Sequence, residues 1–198
     1  MAYSDFTLPE LKQRFGLAIH ENTNLFAQTA ESPPPPGLAS MLDRYLPLAL
    51  NLSTEKARSE LLIAPLLFEF KLHHADRIGL FSGIDFNVDE AAGLKGRCDY
   101  ILSRNPEQLV VSAPVCVLVE AKNENIVAGI PQCLAEMLAA QRFNQLAGEM
   151  AGTVYGVVTT GMLWRFLKLE GHNASVDTVE YPIQGLPKII GILSLIAL

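Results

Sequence analysis

Residues 115–122 read Val-Cys-Val-Leu-Val-Glu-Ala-Lys. An unbroken apolar run of this length, rich in valine, reads as a strand covered on both faces at the centre of a sheet. The run stops at Glu120 and Lys122. Side chains two apart on a strand point the same way, so a carboxylate and an ammonium leave the strand together, where a buried strand reaches a cleft. The same spacing occurs at Glu10-Leu-Lys12 and Glu69-Phe-Lys71, but on expected helices, where positions i and i+2 do not face each other.

Working outward, Arg97–Ser103 predicts a strand with Cys98, Tyr100 and Leu102 on one face and Asp99 and Ile101 on the other. Leu80–Val88 alternates as a half-buried strand, and Ala92-Gly-Leu-Lys-Gly96 and Arg104-Asn-Pro-Glu107 supply the turns. Ahead of these strands a helix is expected from Ser53 or Thr54 to His73, with Ser53 as its N-cap and a kink at Pro65. After Asn123 a second helix is expected from Val127 or Pro131 to Leu146. Strands at Thr153–Thr159 and Leu163–Leu169 follow, with a turn at Gly161. The order is helix, three strands, helix, two strands: an α/β fold with a mixed central sheet flanked by helices. The strands on either side of the second helix should be parallel.

Residues 1–50 form an N-terminal helical extension, with helices at Thr7–Leu17 and Leu38–Leu50. Between them Ser32-Pro-Pro-Pro-Pro-Gly37 reads as a stiff spacer of polyproline type. Residues 51–198 form the main domain. The apolar run Ile189–Leu198 is too short to cross a bilayer and is expected to dock as a helix or strand.

Composition narrows the function. The 198 residues are 49% hydrophobic and 18% charged, with a net charge of −6. That charge argues against a protein that coats nucleic acid nonspecifically, but is compatible with a cluster of metal-binding carboxylates. Cys98, Cys116 and Cys133 form no zinc-type spacing and read as buried thiols, as suits a cytoplasmic protein. Met1–Phe15 lacks the apolar segment of a signal peptide, and no membrane partner is expected. No glycine-rich strand-to-helix loop for nucleotides is present.

Two carboxylates on neighbouring strands suit a hard divalent cation. Such an ion activates water and offsets phosphate charge, and Lys122 would assist the water or the charge on phosphate. This constellation resembles the PD-(D/E)XK phosphodiesterase superfamily, whose restriction endonuclease-like core places Asp on its second strand and Glu-x-Lys on its third. Asp99 in Gly96-Arg-Cys-Asp-Tyr matches the first acid, and Glu120 and Lys122 match the second motif, with Cys98 where the family often has proline. The likeness covers about residues 53–170. Thr54–Leu67 looks like the opening of the nuclease domain of type I restriction subunits, where a helix glutamate joins the metal site. Glu55 fits that pattern when counted back from Pro65, whereas Glu60 shares a side with Ala57, Ala64 and Leu67 and is expected to point inward; both are candidates. Gln132 resembles a glutamine that some members place near the site. The whole sequence is also similar to a family of cyanobacterial proteins assigned to this fold.

The resemblance implies a Mg²⁺- or Mn²⁺-dependent nuclease acting on nucleic acid, in the first instance a DNA endonuclease. Its implied metal ligands are Asp99, Glu120 and Glu60, and its catalytic set is Asp99, Glu120, Lys122, Glu60 or Glu55, and Gln132. A homodimer is compatible with it, since many such enzymes pair to cut two strands. The alternative is a nuclease-fold protein used for binding or assembly, with weak or no catalysis.

Overall fold

The computed structural model describes residues 1–150 and 152–198. In chain order the elements are α1 (Leu8–Phe15), β1 (Ala18–Thr23), α2 (Leu38–Leu52), α3 (Glu55–Arg58), a π-helical turn (Ser59–Ile63) and α4 (Ala64–His73). Then come β2 (Gly79–Asp85), β3 (Arg97–Ser103), β4 (Val115–Ala121), α5 (Ile126–Leu146), β5 (Val154–Thr159), β6 (Leu163–Glu170), β7 (Asn173–Pro182) and α6 (Leu186–Ala197). The strands form one seven-stranded mixed sheet in the order β1-β7-β6-β5-β4-β3-β2. The β4–β5 and β1–β7 pairs are parallel and the others antiparallel. The parallel β4–β5 pair, joined by α5, is the crossover that the sequence order requires.

The central position expected for residues 115–121 follows from their burial: every residue of β4 is buried. One face of the sheet packs against α2, α4 and α6, with Leu66, Leu67, Trp164, Phe166 and Ile192 in its core. The other face packs against α1 and α5, with Leu118, Cys133, Leu134, Met137 and Val158. All three cysteines are free and buried. The C-terminal run docks as helix α6.

Three features depart from the sequence reading. Ala18–Thr23 is a strand within the supposedly helical N-terminal segment, and pairs in parallel with β7. Neither strand was expected: β1 is polar and almost wholly exposed at the sheet edge, so it carries no apolar period. In β7 the alternation is broken by Asp177, which is buried and accepts hydrogen bonds from Val179 N (3.0 Å) and Tyr181 Oη (3.0 Å). The long helix before β2 is not kinked at Pro65 alone. It opens into the π turn just ahead of it, where Ala64 N–H bonds Ser59 O, five residues back. Proline has no N–H for the carbonyl four residues earlier, and the wider turn shifts the helix face by one residue.

Helix α5 is held on the sheet near its C-terminal end and at its middle. Near its end, the buried Asn144 amide accepts from Val115 N (2.7 Å) and donates to Val115 O (2.8 Å) at the start of β4. Toward its middle it lies on β5 so closely that a methyl at Gly156 would sit 2.5 Å from Met137 Sδ and 2.7 Å from Cys133 Sγ. Gly156→Ala is therefore expected to destabilise the protein by about 1–3 kcal/mol through overpacking, read as a lower urea midpoint with an unchanged m-value. A wild-type midpoint would show that α5 does not rest on β5 there.

Candidate functional site

Strand register brings Asp99 and Glu120 to the same end of neighbouring strands. Tyr100 pairs with Val119 at the end of the antiparallel β3–β4 ladder, one residue before each acid. Asp99 lines the α3–α4 cleft with Tyr100 and Ala121, and its charge is felt at Glu120. Asp99 Oδ2 accepts from the backbone N–H of Ala121 at 2.8 Å, which fixes one oxygen of its carboxylate at the end of β4. The Lys122 N–H still pairs with Thr159 O on β5 at 2.8 Å. Glu120 and Lys122 therefore project from ordered strand and not from a frayed end.

Glu120 is only 2% exposed. Its Oε1 accepts a hydrogen bond from Lys122 Nζ, while Oε2 is buried with no hydrogen-bond partner. Burial, then the nearby Asp99 charge, push its pKa up to about 7 against the pull of Lys122. Lys122 Nζ also donates to Gln132 Oε1 at 3.3 Å. Burial draws the Lys122 pKa down, but the charge and hydrogen bond of Glu120 outweigh this and leave it raised. The lysine stem runs along the start of α5. A Cβ on Gly129 would lie 3.0 Å from both its Cγ and Cε, so the glycine leaves the space that the stem occupies.

The sequence reading missed one member of this cluster. Glu136 on α5 is fully buried; its Oε1 accepts from Gln132 Nε2 at 3.2 Å and its Oε2 has no partner. Burial, followed by the charge of Glu120, raises its pKa well above the usual carboxylate range. Two adjacent buried carboxyls cannot both ionise cheaply, so at least one proton on the pair is favoured in the metal-free protein. The available signal was Gln132-x-x-x-Glu136: residues four apart share a helix face. Gln132 thus bridges the lysine to the hidden acid, forming a chain Glu120–Lys122–Gln132–Glu136.

The helix glutamates lie apart from this chain. Glu55 follows Thr54, whose hydroxyl, in place of the expected Ser53, caps α3 by accepting from Ala57 N at 3.1 Å. Glu55 lines a cleft of about 480 Å³ together with Asp99 and Ala121, and its charge reaches Lys122. Glu60 lines the same cleft but does not turn inward. Its side chain is 62% exposed and pairs with Lys56 at 3.0 Å. The π turn explains the correction, because it rotates Leu62 and Ile63 into the core. The expected trio Asp99, Glu120 and Glu60 is accordingly not gathered at one point. Among the described residues, no group of three or more His, Cys, Asp or Glu side chains is arranged to hold a metal ion. Tyr100 anchors the π turn to β3 through a 2.6 Å hydrogen bond between its hydroxyl and Ser59 Oγ. Arg97 is exposed at the cleft, whereas Lys95 pairs with Glu90 at 3.0 Å, away from Asp99.

No protein-family model matches the chain, and no curated protein matches it. Among the described residues no helix is long and apolar enough to cross a membrane.

The raised Glu120 pKa has a signed consequence. The folded protein keeps a proton that the unfolded chain releases between about pH 4.5 and 7, so the stability from this carboxyl is present below that window and lost as pH rises through it. In chelator, thermal melts from pH 5 to 8 should show Glu120→Gln gaining Tm relative to wild type as pH rises. A constant difference across that range would mean that Glu120 ionises like an exposed acid.

Proposed function

We propose that this chain is a metal-dependent phosphodiesterase acting on nucleic acid, built on a restriction endonuclease-like version of its α/β fold and similar to the PD-(D/E)XK superfamily. The observation that carries the reading is Glu120: a carboxyl brought to 2% exposure, bonded to Lys122 through one oxygen and close enough to Asp99 to feel its charge. Ionising the neighbouring buried Glu120 and Glu136 together beside a single ammonium is costly, and a divalent cation is a partner that this donor set suits. Mg²⁺ is commonly held by one or two carboxylates, with water and substrate phosphate completing its shell, so Asp99 and Glu120 suffice for Mg²⁺ or Mn²⁺ without Glu60. Glu55 in the adjoining cleft is the better placed of the two helix acids to contribute. When bound, the ion supplies Lewis acidity and a more acidic water.

The chain's own residues divide the remaining work. Lys122 holds an ammonium beside the reacting phosphate, where it offsets developing charge or orients water. Gln132 fixes the ammonium from the far side, and Glu136 holds the Gln132 amide in the orientation that presents its oxygen to Lys122. Asp99 is kept in place by the Ala121 N–H.

A second reading, a nuclease-fold protein used for binding or assembly, is favoured by the net charge of −6 and by the absence of a gathered ligand trio among the described residues. Cleavage of single- and double-stranded DNA in Mg²⁺ or Mn²⁺ separates the two. Wild type should cut, with Asp99→Ala and Lys122→Ala each reducing the rate by at least about a hundredfold. Absence of cutting, with no heat of metal binding by calorimetry, supports the binding protein instead.

A further inference from the structure

The cleft beside Asp99 has two walls of different chemistry. On one wall Lys56, Glu60, Ala64 and Phe68 recur every four residues along the α3–α4 helix, and all face the cleft. Phe68 is 45% exposed there, an aromatic ring left in water at the rim of a polar site. The opposite wall comes from the β2–β3 hairpin and presents Ser82, Gly83 and Arg97. Gly83 is held at φ 61°, and the Arg97 guanidinium lies across it, 3.0 Å from where a Cβ would project. The β2 side of the hairpin thus presents only small residues, and β3 adds the Arg97 cation and the largely buried Tyr100.

The charges limit what can dock. A DNA duplex carries about one negative charge per 1.7 Å of axis, and proteins that hold it neutralise several phosphates. Apart from Lys122 at the Asp99–Glu120 end, which is paired with Glu120, the cations on this cleft are Lys56 and Arg97, and Lys56 is paired with Glu60. Glu55, Glu60 and Asp99 oppose them, within a chain of net charge −6. Phosphate attraction is too weak here to hold a duplex. An exposed ring offers a different source of affinity, because any unpaired base can stack on it.

We infer that the cleft takes single-stranded nucleic acid, with one unpaired base stacked on Phe68 and an adjoining phosphate between Arg97 and the Asp99–Glu120 end of the sheet. The inference rests on the phosphodiesterase reading and specifies its substrate class. A cleft of about 480 Å³ falls in the size range of small-ligand sites. It suits an extruded or terminal nucleotide, not a stretch of duplex.

The test uses a fluorescein-labelled 12-mer of dT and a duplex of equal length, with binding followed by fluorescence anisotropy in Ca²⁺. Wild type should bind the single strand more tightly than the duplex. Phe68→Ala should weaken single-strand binding about tenfold, the loss of roughly one stacked base, whereas Phe68→Trp should keep it. Phe68 lies on the surface, so neither change should disturb folding. Equal affinity for the two ligands, or unchanged binding by Phe68→Ala, overturns the inference. So does a wild-type dimer that Phe68→Ala converts to monomer in sedimentation, because the ring would then be an interface residue. Mg²⁺-dependent cutting is scored separately on the same proteins. Cutting without Phe68-dependent binding overturns the substrate assignment and leaves the nuclease reading standing. Phe68-dependent binding without cutting does the reverse.

Discussion

The structure turns on the burial of one carboxylate. Glu120 ends a strand that is covered on both faces, so its side chain leaves β4 under α5 and not into water. Everything adjacent answers that placement. Lys122 bonds one of its oxygens, Gln132 holds Lys122, and Glu136 holds Gln132. The arrangement remains short of positive charge: Asp99, Glu120 and Glu136 lie within electrostatic reach of one another, and Lys122 is the ammonium bonded to the cluster. The shortage shows as raised pKa values at Glu120 and Glu136 and as an unpartnered oxygen on each. A protein optimised for stability alone would replace such a cluster with apolar side chains. Strain of this kind is concentrated at functional sites.

The scaffold delivers that cluster through two contacts remote from it. Asn144 fastens the end of α5 to the beginning of β4, and Gly156 lets the helix sit against β5. Together they fix how far the Gln132–Glu136 face stands from Glu120. On the other side the π turn before Pro65, tied to β3 through Ser59 and Tyr100, places Glu55 and Phe68 along a cleft that opens on Asp99. The cleft and the buried cluster thus share the Asp99–Ala121 end of the sheet.

Much of this was legible in the sequence because it rests on local period. The apolar run before Glu120 and the turns between strands fix the hairpin without tertiary information. The expected alternation around Asp99 holds for Tyr100, Ile101 and Leu102 but fails at Cys98, which packs with Ile101 on the α5 side instead of sharing a face with Tyr100 and Leu102. The parts that escaped depend on context. Glu136 looks like an ordinary helix charge until the strand opposite is known, since burial belongs to the packing partner. Glu60 was placed inward by counting a regular helix, and the π turn shifts that count by a residue. Strand β1 has no apolar face because it lies at the sheet edge, and β7 hides its pattern behind a buried aspartate that serves local hydrogen bonds.

Direct observation of the ion tests the central claim most simply. Titration of Mn²⁺ into the protein, followed by electron paramagnetic resonance, should show a bound ion in the wild type that is lost in Asp99→Ala and in Glu120→Gln but retained in Glu60→Gln. Mn²⁺ that binds equally to all four proteins, or to none, would contradict a metal site built on Asp99 and Glu120.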